Sequence, residues 1–208
     1  YAFFLMIIKK SLPYALLIFL MSIYYYSDVV MIEQMKGSLE ATSYAHGYRF
    51  FMAFNMLGFL FAGLLLPIFS KMIKEHIDIN SITWLSFKLI FFIAVLIGGV
   101  FWFIKEDIIH WRYQLSGEDL MHSSNTFGWL LLSFIAVSCN YIFGTLLTAN
   151  GRLKPMNILA IKGVFINVTL NLFLINQSGS TGAAIASLIT QIFTLIAQVI
   201  LCYKFFPL

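Results

Sequence analysis

The run FGWLLLSFIAVSCNYIFGTLLT, residues 127–148, carries no charged side chain. It exceeds the about 20 apolar residues that take a helix across a bilayer. Inside lipid, every backbone N–H and C=O must be satisfied within the segment or in a closed barrel. A run this long and this apolar is therefore a spanning helix. It is not uniformly apolar: Ser133, Asn140, Gly144 and Thr148 fall on one flank when the run is wound at helical pitch. Hydrophobic length assigns the solvent, and the polar flank marks the side that faces something other than acyl chains.

The same pattern recurs on both sides of this run, at 11–32, 41–70, 84–104, 156–175 and 182–203. Six crossings with short connections consume nearly all of the 208 residues. The expected architecture is all-α and polytopic, a single six-helix transmembrane unit over 1–208 with no room for a soluble catalytic domain. Composition agrees, with 61% hydrophobic residues, 11% charged and a mean hydropathy of +0.89. Soluble domains run near about 45–50% apolar and about 25% charged. A cytosolic enzyme, a disulfide-stapled secreted domain and a disordered chain are excluded. The chain opens on Tyr1 without a leader pattern and is expected to be part of a longer protein. Cys139 and Cys202 sit in separate apolar runs, without metal spacing, and read as small packing residues.

The modest net charge of +4 argues against a nucleic-acid partner and is largely topological. Lys9, Lys10, Lys71, Lys74, Arg152, Lys154 and Lys204 flank the crossings on one side; Lys36, Lys105 and Arg112 lie on the other. The positive-inside rule places the richer side, and with it both ends of the chain, in the cytoplasm. The connection 105–126 holds His110, Trp111, Arg112 and Tyr113, a composition suited to the headgroup region.

Ionisable and polar residues inside the crossings carry most of the functional information, because each is costly in hydrocarbon. Lys88 and Lys162 lie close enough to the cytoplasmic side to snorkel. Asp28 sits about one turn inside the external end of the first crossing. Arg49 lies about 12 Å into the second from the same side, with His46 one turn before it. A hairpin between these crossings brings Asp28 and Arg49 to similar depth, so an ion pair or a shared water-filled vestibule is expected. Asn157, Asn167 and Asn171 mark one flank of the fifth crossing; Ser187, Gln191, Thr194 and Gln198 mark one flank of the sixth. Such side chains either hydrogen-bond between helices, worth about 0.6–2 kcal/mol each, or line a hydrated passage. Three flanks in successive crossings favour a wet interior.

The order and spacing of several short motifs resemble a known family. They are Tyr26-Ser27-Asp28-Val29-Val30-Met31-Ile32, then Gly37, then Tyr44-Ala45-His46-Gly47-Tyr48-Arg49 and Leu66-Pro67-Ile68-Phe69-Ser70. Later come Asn150-Gly151-Arg152, Asn167, Leu170-Asn171, Gly179 and Gly182-Ala183-Ala184-Ile185-Ala186-Ser187. Together they resemble polysaccharide flippases of the MATE-like MOP superfamily, the group of O-antigen and teichoic-acid transporters. The resemblance implies the C-terminal half of a two-lobe transporter, with an N-terminal six-helix lobe as its missing partner. It also implies export of a polyprenyl-pyrophosphate oligosaccharide across a bacterial inner membrane. Arg49, with Lys162 and Lys88 behind it, would then attract the headgroup pyrophosphate, Asn167, Asn171, Gln191 and Gln198 would meet the sugar hydroxyls, and Asp28 and His46 would belong to the same substrate site. No bond in the cargo is broken, so neither catalytic residues nor a cofactor or metal is expected.

Two alternatives stay open. A cation-coupled multidrug antiporter of the same superfamily would want membrane-embedded carboxylates, of which Asp28 is the clearest. A membrane enzyme acting on lipid-linked sugars would draw on His110, Glu118, Asp119 and His122, which lack a recognisable spacing.

Overall fold

The computed structural model describes residues 2–206; the side chains of residues 2–10 and of Tyr25 lie outside that description, among them the lysines at 9 and 10 that enter the charge count. Six helices follow one another: α1 (Ala2–Lys36), α2 (Ser38–Lys74), α3 (Asn80–Phe103), α4 (Lys105–Tyr113), α5 (Gly117–Ala149) and α6 (Leu153–Phe205). Five of them are long and apolar enough to cross a membrane. The expected fifth and sixth crossings are two arms of α6, which loses helical geometry at Ser178 and Gly179.

The arms run antiparallel. Gly163 of the first arm faces Thr190 and Thr194 of the second. Asn171 and Ser187, one from each arm, reach the same carboxylate. Gly179 makes the reversal possible with φ of 56°, in the left-handed region that a side chain resists. Gly37, at φ 92°, is the one residue separating α1 from α2. Asp78 Oδ1 accepts a 3.0 Å bond from the Asn80 N–H and so starts α3.

The 105–126 connection departs from expectation. It is helical for most of its length, first as α4 and then as the opening turns of α5. Hydropathy registers the apolar part of a helix, but the polar turns outside the hydrocarbon keep their backbone bonds as well. Likewise α2 spans 37 residues, about 55 Å at 1.5 Å per residue, and so extends well past a hydrocarbon core of about 30 Å.

α5 is the buried centre of the bundle, with α2, α3 and α6 packed around it, while α1 lies against α6 and α2. Small residues allow the close approaches. Gly47 of α2 lies against the backbone of Phe127, and Gly58 against the ring of Tyr141. Phe69, Phe143, Leu146 and Leu147 build one core; Ile32, Tyr44, Phe134 and Ala183 build another nearer the end where Gly37 joins α1 to α2.

At that end the second arm of α6 is capped by a residue of α2. Glu40 Oε2 accepts the Ser180 backbone N–H at 2.9 Å and lies 3.0 Å from His122 Nε2 of α5. The Thr126 hydroxyl is 3.1 Å from Ser180 Oγ and 3.0 Å from Thr181 Oγ1. Five side chains thus join the first turns of α2, α5 and the second arm, satisfying a helix start that would otherwise leave donors open.

Candidate functional site

Asp28 is 2% exposed, enclosed by α1, α2 and both arms of α6. Three neutral donors converge on it. Asn171 Nδ2 donates to Oδ1 at 2.6 Å; Tyr44 OH and Ser187 Oγ donate to Oδ2 at 2.9 and 2.5 Å. A second tier supports them: Asn167 Oδ1 accepts from Asn171 Nδ2 at 3.2 Å and from Ser27 Oγ at 3.4 Å, and Tyr24 OH donates to the Ser187 carbonyl at 3.3 Å. Asn171 Oδ1 is buried and has no hydrogen-bond partner. A cavity of about 10 Å³ lies beside the carboxylate, walled by Tyr24, Tyr44, Tyr48, Ser133, Ser187 and Gln191. That is room for about one water-sized body, and for no sugar.

The expected ion pair is not formed. Arg49 is exposed, and Asp28 is occupied by Tyr44, Asn171 and Ser187. The helical phase of α2 explains the separation. Ala41, Tyr44, Gly47 and Phe51 form its buried stripe, and Arg49 lies away from it, sharing an open flank with Met52, Ala53 and Met56. His46 is half-buried between the two: its Nδ1 is 3.2 Å from Ser123 Oγ, and its ring lies 4.1 Å from that of Tyr113.

The polar flanks are likewise sealed between helices instead of bordering a wet passage. Asn140 Nδ2 donates to Gln191 Oε1 at 2.8 Å, Asn157 Nδ2 donates to the Pro13 carbonyl at 2.9 Å, and Gln198 packs over Gly144. Asn167, Asn171, Gln191 and Gln198 are all buried, out of reach of a sugar in this arrangement. An amide in hydrocarbon gains more by bonding across a helix interface than by remaining unmet, and the interfaces take Asn140, Asn157 and Asn171 in this way, although Asn167 Nδ2 and Gln198 Oε1 stay buried without a partner. Tyr44 is the participant that the periodicity of the crossings did not single out; its signal is the 41, 44, 47, 51 stripe that brings it opposite Asp28. Replacing Tyr44 with phenylalanine keeps the ring and removes one donor, so a loss of about 1–3 kcal/mol is expected. Thermal unfolding of the purified protein in detergent would register it.

Of the loop residues considered for catalysis, Glu118, Asp119 and His122 line one open cavity with Glu40, where His122 is bonded to Glu40 and Ser180. His110 Nδ1 is 2.6 Å from the Leu115 carbonyl, at the end of α4. His122 meets both Glu40 and Ser180 through the same nitrogen, Nε2, which cannot take a proton from one while being oriented by the other. Among the described residues, no group of three or more His, Cys, Asp or Glu side chains could hold a metal ion.

No protein-family model matches the chain, and no curated protein matches it. Among solved structures, a MOP superfamily transporter from Pyrococcus furiosus is similar, with a TM-score of 0.75 at 17% identity. The match covers 96% of this chain and 44% of that one. The chain therefore has the fold of one half of a two-lobe membrane transporter and spans less than half the length of the structure it matches.

Proposed function

We propose that the chain is the C-terminal lobe of a transporter that carries lipid-linked oligosaccharides from the inner to the outer leaflet of a bacterial plasma membrane, with both ends of the lobe cytoplasmic. Arg49 carries this reading. It is a guanidinium on an open flank within a spanning helix, with no ion pair to Asp28, while the amides of the crossings are turned inward. A guanidinium left unpaired in such a place suits an anion delivered from outside the lobe, and it matches the geometry of phosphate oxygens. A second lobe facing this flank would close a cleft around a pyrophosphate headgroup, while the polyprenyl chain stays in lipid. The fold of half a transporter and the motif resemblance support the same conclusion.

The test uses the complete transporter in cells that depend on it. Arg49→Ala is expected to lower flipping at least about tenfold, the equivalent of roughly 1.4 kcal/mol of lost phosphate binding. Arg49→Lys should lose less, because the charge remains and the fork does not. Accumulation of inner-leaflet lipid-linked sugar, at unchanged protein level, measures both. Wild-type flipping by both variants would end this reading.

Asp28 supports a second reading, a cation-coupled antiporter. A buried carboxylate met by neutral donors alone is a place where a proton or a monovalent cation lowers the cost of the charge, and Asn171 Oδ1 has its lone pairs uncommitted beside it. Efflux of cationic dyes with no change in lipid-linked sugar would favour this reading over the first.

A further inference from the structure

α4 lies across the external end of the bundle and is pinned there by Ile109, which is fully buried with Phe127 and Leu131. Its outer surface exposes Trp111 at 77%, with Phe103 at 88% just before the helix, as suits a segment at the level of lipid headgroups. The last turn of α4 reaches α2. Tyr113 OH donates to the His46 carbonyl at 3.3 Å, its ring stacks at a 35° tilt on the His46 imidazole, and the edge of Phe50 closes one side. Arg112, the preceding residue, holds its guanidinium 5.4 Å from the centre of the same Tyr113 ring.

This stack orders a guanidinium without neutralising it. An aromatic face steers an arginine but leaves its N–H fork free for an acceptor. The ion pair among the described residues lies elsewhere, between His122 and Glu40. The carboxylates of α4, Glu106 and Asp107, sit in its first turn, away from Arg112 in its last. His46 Nδ1 is engaged by Ser123, which leaves Nε2 as the nitrogen open to a ligand. Arg49 follows one helical turn along α2 from His46, about 4.5 Å, and is also exposed. Two unpaired guanidiniums and an imidazole edge are thus stepped from the headgroup level into the membrane.

We infer that Arg112, Tyr113 and His46 form a second phosphate station at the external end of the Arg49 flank, one that receives a lipid-borne phosphate as it enters or leaves the outer leaflet. The inference rests on Arg49 meeting phosphate, as proposed above, and adds a separate site held by α4. A passing pyrophosphate would exchange one guanidinium for the next rather than face bare hydrocarbon.

The experiment uses the complete transporter reconstituted in nanodiscs, with two probes measured separately: a short-chain polyprenyl pyrophosphate and phosphatidylglycerol, each spin-labelled for retention beside the protein. Variants are Arg112→Gln, Arg112→Lys and Tyr113→Leu, with Arg49→Ala alongside. Arg112→Gln and Tyr113→Leu are expected to weaken retention about fivefold or more, and Arg112→Lys less, since charge without the stacked fork binds phosphate less well. Arg112 is exposed, so its variants should melt with the wild type, and that measurement separates binding from folding. Loss confined to the pyrophosphate probe assigns the station to cargo, and loss confined to phosphatidylglycerol assigns it to the surrounding bilayer. Unchanged retention of both probes in Arg112→Gln, with Arg49→Ala still impaired, overturns the station and leaves the Arg49 reading standing. No effect from any of the four variants overturns both.

Discussion

Replacing Asp28 with alanine is expected to unfold the lobe, whereas asparagine should preserve the fold and abolish any function that depends on the charge. Alanine would strand three buried donors at once, Tyr44 OH, Asn171 Nδ2 and Ser187 Oγ. Each unsatisfied group costs about 1–3 kcal/mol, so the sum approaches the 5–15 kcal/mol of a typical domain's total stability. The three donors come from α2 and the two arms of α6, so the loss falls on the junction that joins α1 to the rest. Asparagine fills the same volume and keeps one acceptor for Asn171. Ser187 can redirect its hydroxyl to the carbonyl one turn back, as Thr190 already does toward Ala186. Melting of the two variants in detergent, together with transport by the complete protein, distinguishes the roles. If alanine melts within a few degrees of wild type, Asp28 is not the structural hub that its bonds describe. If asparagine transports normally, the negative charge has no part in coupling.

The sequence made the membrane address and the all-α architecture legible because both depend on the length of apolar runs, a one-dimensional property. The run at 127–148 needed only the absence of charge to be read as a spanning helix; that α5 is the central one is a fact of packing. The partners of the polar residues were harder to read. Spacing along the crossings speaks to the depth of Asp28 and Arg49, but depth does not decide which way a side chain points about its helix axis. The phase of α2 is set by Gly47 against Phe127 and Gly58 against Tyr141, contacts made with a helix far along the chain. They turn Tyr44 toward Asp28 and Arg49 away from it. The amide flanks misled for a related reason. A polar stripe signals only that its face avoids lipid; a hydrated cleft and a hydrogen-bonded helix interface produce the same stripe. The station at α4 lay hidden in a connection whose helical character comes from α4's docking through Ile109, not from hydropathy.

Gly182→Ala is the substitution expected to do most damage to the fold, despite adding a single methyl group. A Cβ at this position would collide with the carbonyl oxygen and carbon of Leu174 and stand 2.9 Å from the Ile175 nitrogen. Ordinary van der Waals separation for such atoms is about 3.5 Å. All three obstacles are backbone, so no rotamer change relieves them, and the two arms of α6 must move apart. Separation would pull Ser180 from Glu40 and Thr126, and Ser187 from Asp28, undoing the Glu40 cap and the buried cluster together. A cost above about 4–5 kcal/mol is expected, enough to deplete folded protein from the membrane. Gly179→Ala should be milder although φ there is 56°, because the obstructing atoms belong to the Glu40 carboxylate, which can swing aside at the cost of the cap. Gly63→Ala supplies the contrast: nothing lies within 4 Å of a Cβ there, and relief of glycine's entropy should leave stability unchanged or raised by up to about 1 kcal/mol. Folded yield and melting temperature of the three variants should therefore rank Gly63→Ala above Gly179→Ala above Gly182→Ala. A Gly182→Ala protein that melts like the wild type would show that the arms of α6 do not meet as closely as this turn requires.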